Sequence, residues 1–254
     1  MNNTAFTIFG LSVHWYGIMI ALGILFAVIL SFYTFKQRKF KSDFIFELLI
    51  WMIPLAIIGA RLYYLIFNNG PWGKEAFAIW NGGLAVYGAV IGGAIGVMIF
   101  CIIRKQNFFA IADVIVPCLI LGQGIGRIGC YFAGCCYGVE TSVHSFPISL
   151  KIDDGTWHLA TMLYESFFDL IFCLVLVLML RKISQRGIIL GSYLIMYGVL
   201  RTVLEIFRDT KEALFIGSSG LKVSMLLSII LIVAGIVLVI IEVVRSRQNK
   251  VKKK

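Results

Sequence analysis

WYGIMIALGILFAVILSFYTF, residues 15–35, runs for 21 residues without a charged side chain. A bilayer's hydrocarbon core takes about 20 consecutive apolar residues of helix, so this stretch is long enough to cross a membrane. It is longer than the apolar region of a secretory signal and no basic cluster precedes it, so it reads as a retained helix. Similar stretches follow near residues 44–67, 83–103, 108–126, 161–180, 188–207 and 221–244. Composition agrees: 60% of the 254 residues are hydrophobic and the mean hydropathy is +0.93, against roughly 45–50% apolar residues in soluble domains. The expected fold is all-α, a polytopic integral membrane protein of seven transmembrane helices. No soluble insert, linker or internal repeat interrupts the spans, so residues 1–254 read as one domain.

The net charge of +10 is unevenly placed. Alternate loops carry fifteen basic residues: Lys36, Arg38, Lys39 and Lys41; Arg104 and Lys105; Arg181, Lys182 and Arg186; Arg245, Arg247, Lys250, Lys252, Lys253 and Lys254. The opposite side carries five, Lys74, Arg127, Lys151, Arg208 and Lys211. An excess of Lys and Arg marks the cytoplasmic face, which predicts an N-terminus outside and a C-terminus inside. The basic tail then serves as a topology anchor and a contact for anionic lipid, with no nucleic-acid role expected.

The stretch GQGIGRIGCYFAGCCYG, Gly122–Gly138, closes the fourth span with six glycines, three cysteines and Arg127. An arginine near bilayer depth is costly unless it meets a protected cavity or an anion, so it marks a functional site. Glycines beside it allow backbone and ligand to approach closely. Other intramembrane charges fall toward the same outer half: Arg61 in GARLYY, Glu165 in LYES, and Arg201 and Glu205 in YGVLRTVLEIFRD, with Arg208 just beyond. Arg201 and Glu205 stand four apart, on one helix face. These four arginines outnumber the two acids, and arginine's planar fork suits phosphate. Tyr16, Tyr87, Tyr137 and Tyr197 each precede a glycine in the same outer region.

Cys101, Cys118 and Cys173 lie within apolar spans and read as small core residues. Cys130, Cys135 and Cys136 cluster in sequence at the outer mouth, with His144 and His158 downstream. A C-x4-C-C spacing is not that of a four-ligand zinc site, so no metal is expected; a disulfide and a catalytic thiol stay open. The long outer segment from about Tyr131 to Ala160, with an Asp153-Asp154-Gly155 turn, reads as a binding loop. Arg208–Gly220, ending in GSSG, reads as an interfacial flap. In GGLAVYGAVIGGAIG, residues 82–96, the later glycines read as a helix-packing face, and Gly82-Gly83 as a break at the mouth.

Taken together these strings resemble the prolipoprotein diacylglyceryl transferase family over nearly the whole chain. The matching segments are HWYGIMIALG, GARLYY, NGGLAVYGAVIGG, GQGIGRIG followed by YG, LYES, and GSYLIMYGVLRTVLEIFRD. The resemblance implies a seven-helix enzyme of the bacterial inner membrane, with a site opening outward and laterally to lipid. It implies transfer of a diacylglyceryl group from phosphatidylglycerol to the lipobox cysteine thiol of prolipoprotein signal peptides, with glycerol phosphate leaving and no cofactor. It assigns Arg127 and Arg201 to the phosphate, Glu205 to orienting Arg201, and Tyr87 to the position of a family histidine. Tyr16, Arg61, Tyr197, Arg208, Gly126 and Gly138 become the expected substrate-binding set.

The chain also departs from the family pattern. Tyr87 stands for a histidine, Cys130 for an asparagine, Ala133 for a second asparagine and Cys135 for a glutamate; ATMLYE replaces PxQLYE, and Ser224-Met225 replaces GQ. A tyrosine ordinarily titrates at about 10 and makes a poor base near neutral pH. Two alternatives therefore accompany the main reading: a lipid-modifying transferase with another acceptor, and a non-catalytic lipid- or lipoprotein-binding relative.

Overall fold

The computed structural model describes residues 4–8, 11–67, 77, 83–152, 155–208 and 222–251. Among them, seven helices are long and apolar enough to cross a membrane. They are α1 (Trp15–Gln37), α2 (Asp43–Phe67), α3 (Val86–Ile103), α4 (Phe108–Ala133), α5 (Thr161–Lys182), α6 (Ile188–Ile206) and α7 (Val223–Val251). The chain is a multi-pass membrane protein, as its hydropathy predicts. Two small antiparallel hairpins, which the sequence reading lacks, join them: β1 (Thr4–Ile8) with β2 (Leu11–His14), and β3 (Ser149–Lys151) with β4 (Trp157–Leu159). In the second, Leu150 lies opposite His158.

The chain forms two compact units, residues 1–34 with 113–254, and residues 35–112. In the smaller unit α2 and α3 pack through glycine. A Cβ on Gly88 would lie 2.2 Å from the Gly59 carbonyl oxygen, and one on Gly92 would lie 2.0 Å from that of Leu55. Backbones this close need a missing side chain, as at small-residue interfaces in bilayers. The packing face read from the later glycines is thus the α2–α3 seam. Gly83 sits at its mouth with φ +74°; Gly82 lies outside the described residues.

In the larger unit the most buried span is α4, with 50% of its apolar window covered against 11% for α7. A Cβ on Gly23 of α1 would stand 3.0 Å from the Gly122 carbonyl oxygen. Gly191 and Gly198 of α6 meet α7 in the same way, the first against Val239 and the second against the Ser228 carbonyl oxygen. Asp113, fully buried, accepts the backbone N–H of Gly187 at 2.7 Å and of Leu190 at 2.9 Å, capping α6 from outside its own sequence. Cys101, Cys118 and Cys173 are buried as expected.

α4 does not stop at Gly126. It continues seven residues to Ala133, so Arg127 projects from a helix rather than from a loop. Glycine costs roughly 1 kcal/mol relative to alanine inside a helix, and the run of glycines reads as an end. Packing offsets that cost: Gly124 lies against Asp169 and the Ser166 carbonyl of α5, and Gly129 against Tyr16 and Met19 of α1.

Candidate active site

Glu165 is the centre of the charged cluster. It lies one turn into α5, 3% exposed, and its two carboxylate oxygens face different helices. Oε1 stands 2.9 Å from Nη2 of Arg127 on α4, and Oε2 accepts a hydrogen bond from Nη1 of Arg201 on α6 at 3.2 Å. The Arg127 contact is an ion pair by distance without hydrogen-bond alignment. One buried carboxylate thus holds two guanidiniums from two helices. An uncompensated ion at this depth is costly, so the trio fixes the spacing of α4, α5 and α6.

Glu205 anchors the second half. Arg201 donates to it from Nη2 at 3.5 Å, Arg208 Nη1 stands 3.9 Å away, and Lys222 Nζ also lies at 3.9 Å. Lys222 further donates to the carbonyls of Glu205 and Arg208 at 2.9 and 3.2 Å, satisfying free acceptors at the end of α6. Lys222 is absent from the sequence reading because it follows a segment read as a flap; residues 209–221, which hold most of that flap, lie outside the described residues. Asp169, fully buried one turn after Glu165, is also new. Its oxygens have no hydrogen-bond partner among the described residues. A second acid four residues after Glu165, in YESFFDL, was its signal.

The arginines keep part of their surface: side-chain exposure is 22% for Arg127, 14% for Arg201 and 25% for Arg208. Beside Arg127, a Cβ on Gly126 would meet nothing within 4 Å, so that face of α4 has room for a ligand. Tyr16 is exposed and sits against Gly129, while Tyr197 is half-buried and stacks on Tyr193 with ring centroids 5.7 Å apart. Tyr193 donates to Gln123 Oε1 at 3.0 Å.

Gly138 ties the loop after α4 to the end of α6. It forms a bridge with Arg208, and the N–H of Val139 donates to the Phe207 carbonyl at 2.8 Å. A Cβ on Gly138 would lie 2.6 Å from that same oxygen, so only glycine fits. The tie brings Arg208 Nη2 to 3.4 Å from Cys136 Sγ.

All six cysteines are free thiols. Cys130, Cys135 and Cys136 converge, their sulfurs all within 4.8 Å of one another. The Cys136 thiol is held well below the ordinary thiol range. Hydrogen bonds from the Cys130 and Cys135 thiols are the main cause; the Arg208 and Arg127 guanidiniums add to it against the opposing effect of burial. Cys135 is pushed up by its hydrogen bonds with the other two and by burial. His158 does not join the thiols: Nδ1 meets the Gly138 carbonyl at 2.8 Å and Nε2 the Thr156 hydroxyl at 2.9 Å. His144 stacks on Trp157. Gly155 does turn as read, at φ +89°; Asp153 and Asp154 lie outside the described residues.

Arg61 and Tyr87 belong to the smaller unit. Arg61, 7% exposed, donates from Nη1 to the Gly83 carbonyl at 3.1 Å and lies over the Tyr64 ring. Tyr87 is 39% exposed at the start of α3, its ring 6.0 Å from that of Tyr63.

A family model described as prolipoprotein diacylglyceryl transferase matches residues 3–241. The chain belongs to the prolipoprotein diacylglyceryl transferase family. Relatives named phosphatidylglycerol–prolipoprotein diacylglyceryl transferase include one from Finegoldia magna, 37% identical over 94% of both chains. Another, from Clostridium perfringens, is 35% identical over 98% of both, and one from Streptococcus uberis is 38% identical over 94% of this chain and 93% of its own. Full-length similarity of this kind covers every helix that supplies the arginine cluster. The thiol triad follows GRIG, residues 126–129, directly, at positions 130, 135 and 136.

Proposed function

We propose that this protein transfers the diacylglyceryl group of phosphatidylglycerol to a cysteine thiol of prolipoproteins, in the inner membrane of a bacterium. The observation that carries this reading is Glu165 holding Arg127 and Arg201 side by side with both guanidiniums still partly exposed. Two positive forks at one depth form a preorganised seat for a phosphodiester, and they stabilise the charge that develops as its oxygen leaves. Glu205 orients Arg201, and Arg208 assists at the mouth. Tyr16, Tyr197, Gly126 and Gly138 shape the headgroup space. The peptide arrives tethered by its signal segment, the lipid from the surrounding bilayer.

The bond change is simple. The thiol gives up its proton to water, sulfur bonds to the glyceryl methylene, the carbon–oxygen bond breaks, and glycerol phosphate carries away the electron pair. The loop asymmetry of Lys and Arg supports an outward N-terminus, which puts this chemistry on the outer face. A cytoplasmic reporter fused after Lys254 tests that orientation and should be active. The function itself is tested by complementation of a strain depleted of its own transferase. Growth with lipidated prolipoprotein supports the reading; an inserted protein that leaves prolipoprotein unmodified overturns it.

A further inference from the structure

The three thiols at Cys130, Cys135 and Cys136 are unused by a mechanism built on arginines alone. Their sulfurs lie within 4.8 Å of one another, and among the described residues no other Cys, His, Asp or Glu joins the group. The loop is bent to make this happen: Gly134 and the non-glycine Cys136 both take φ +63°. A cysteine in that region is uncommon and persists only where its surroundings enforce it. Here the Thr161 hydroxyl holds the Cys136 carbonyl at 2.8 Å, and the Gly138 tie closes the other end. The strain therefore aims Cys136 Sγ at its two partners and at Arg208.

We infer that Cys130, Cys135 and Cys136 bind a zinc ion whose fourth position receives the acceptor thiol of the prolipoprotein. The inference rests on the function proposed above. Three thiolates select a soft ion such as zinc over hard cations. Zinc–sulfur bonds of about 2.3 Å in a tetrahedron set sulfurs about 3.8 Å apart, so the ion needs to draw this triangle in by at most about 1 Å, which side-chain rotation supplies. Four protein ligands would close a structural site; three with an open position make a reactive one. Both histidines of the region are engaged elsewhere, and Cys135 and Cys136 are only half-buried, which leaves the fourth side open.

The chemistry fits the reaction. A thiol bound to zinc is held as thiolate, and the thiolate is the nucleophile. The acceptor thiol releases its proton to water on binding. Its sulfur then forms the bond to the glyceryl methylene, the carbon–oxygen bond breaks, and the pair departs on glycerol phosphate. Zinc keeps its oxidation state throughout. Four thiolates around one zinc carry two net negative charges, and Arg208, 3.4 Å from Cys136 Sγ, partly offsets them. The site also supplies what Tyr87 does not, a way to hold the acceptor deprotonated at neutral pH.

The test uses the full-length protein purified in detergent under reducing conditions. Elemental analysis should find about one zinc per chain, and none in the C130S/C135S/C136S variant. Cobalt substitution of the parent, which needs no variant to fold, should give sulfur-to-cobalt charge-transfer absorption. That absorption should strengthen on adding a lipobox peptide and stay unchanged with its cysteine-to-serine analogue. Three titratable free thiols with no bound zinc after zinc addition would overturn the inference, as would a cobalt spectrum blind to the peptide. Diacylglyceryl transfer by metal-stripped protein would sink the zinc site and leave the function standing. A zinc site that binds the peptide without any lipid transfer would do the reverse.

Discussion

Replacing Glu165 with glutamine probes the cluster where its charges are most dependent on one residue. The amide keeps the shape and removes the charge that Arg127 and Arg201 share at 2.9 and 3.2 Å. Stranding one member of a buried ion pair costs roughly 3–5 kcal/mol. Arg201 retains Glu205 at 3.5 Å, whereas Glu165 is the one acid paired with Arg127 among the described residues. Arg127 also keeps 22% of its surface, which lets solvent or headgroups share the burden. The expected loss is therefore at the lower end, about 3 kcal/mol, or a little over a hundredfold in the unfolding equilibrium. Reversible unfolding in mixed detergent micelles reads it directly. Double-mutant cycles should give a larger coupling of Glu165 to Arg127 than to Arg201. Phosphatidylglycerol in the micelles should recover part of the loss, because its phosphodiester can replace the missing carboxylate. A cost below about 1 kcal/mol, the range of exposed pairs, would refute the bridge.

Three further outcomes follow from the same geometry. Arg127→Lys keeps the charge but loses the fork, and turnover per inserted molecule should fall at least tenfold with insertion intact; near-normal turnover removes Arg127 from the mechanism. Glu205→Gln should lower turnover by weakening the hold on Arg201, Arg208 and Lys222, and full activity per folded molecule would make that group purely structural. Gly138→Ala drives a Cβ to 2.6 Å from the Phe207 carbonyl oxygen and should cost roughly 1–3 kcal/mol with loss of activity, whereas Gly126→Ala, inside α4 and facing open space, should raise thermal stability by up to about 1 kcal/mol.

The spans were legible because hydropathy over about 20 residues is set by the bilayer itself. The end of α4 was not. Gly124 and Gly129 carry a helix-breaking propensity that packing against α5 and α1 outweighs, and no local signal reports those partners. The Arg201–Glu205 pair was legible from its i, i+4 spacing, as it depends on one helix only. Glu165 as the shared counter-ion was not, since that role arises only when α4, α5 and α6 meet. The cysteines show the same limit. Their C-x4-C-C spacing matches no familiar ligand pattern; two left-handed residues, Gly134 and Cys136, fold the chain back and bring the sulfurs together.

The central claim is lipid transfer to a thiol at the Arg127–Glu165–Arg201 site, and reconstitution measures it most directly. Purified protein in vesicles of phosphatidylglycerol, given a lipobox peptide, should yield peptide heavier by one diacylglyceryl group on its cysteine. One glycerol phosphate should be released for each peptide modified. The account predicts that this product disappears with Arg201→Ala and with a cysteine-to-serine peptide. Correctly inserted protein that binds both substrates yet forms no thioether, or that forms it undiminished without Arg201, would contradict it.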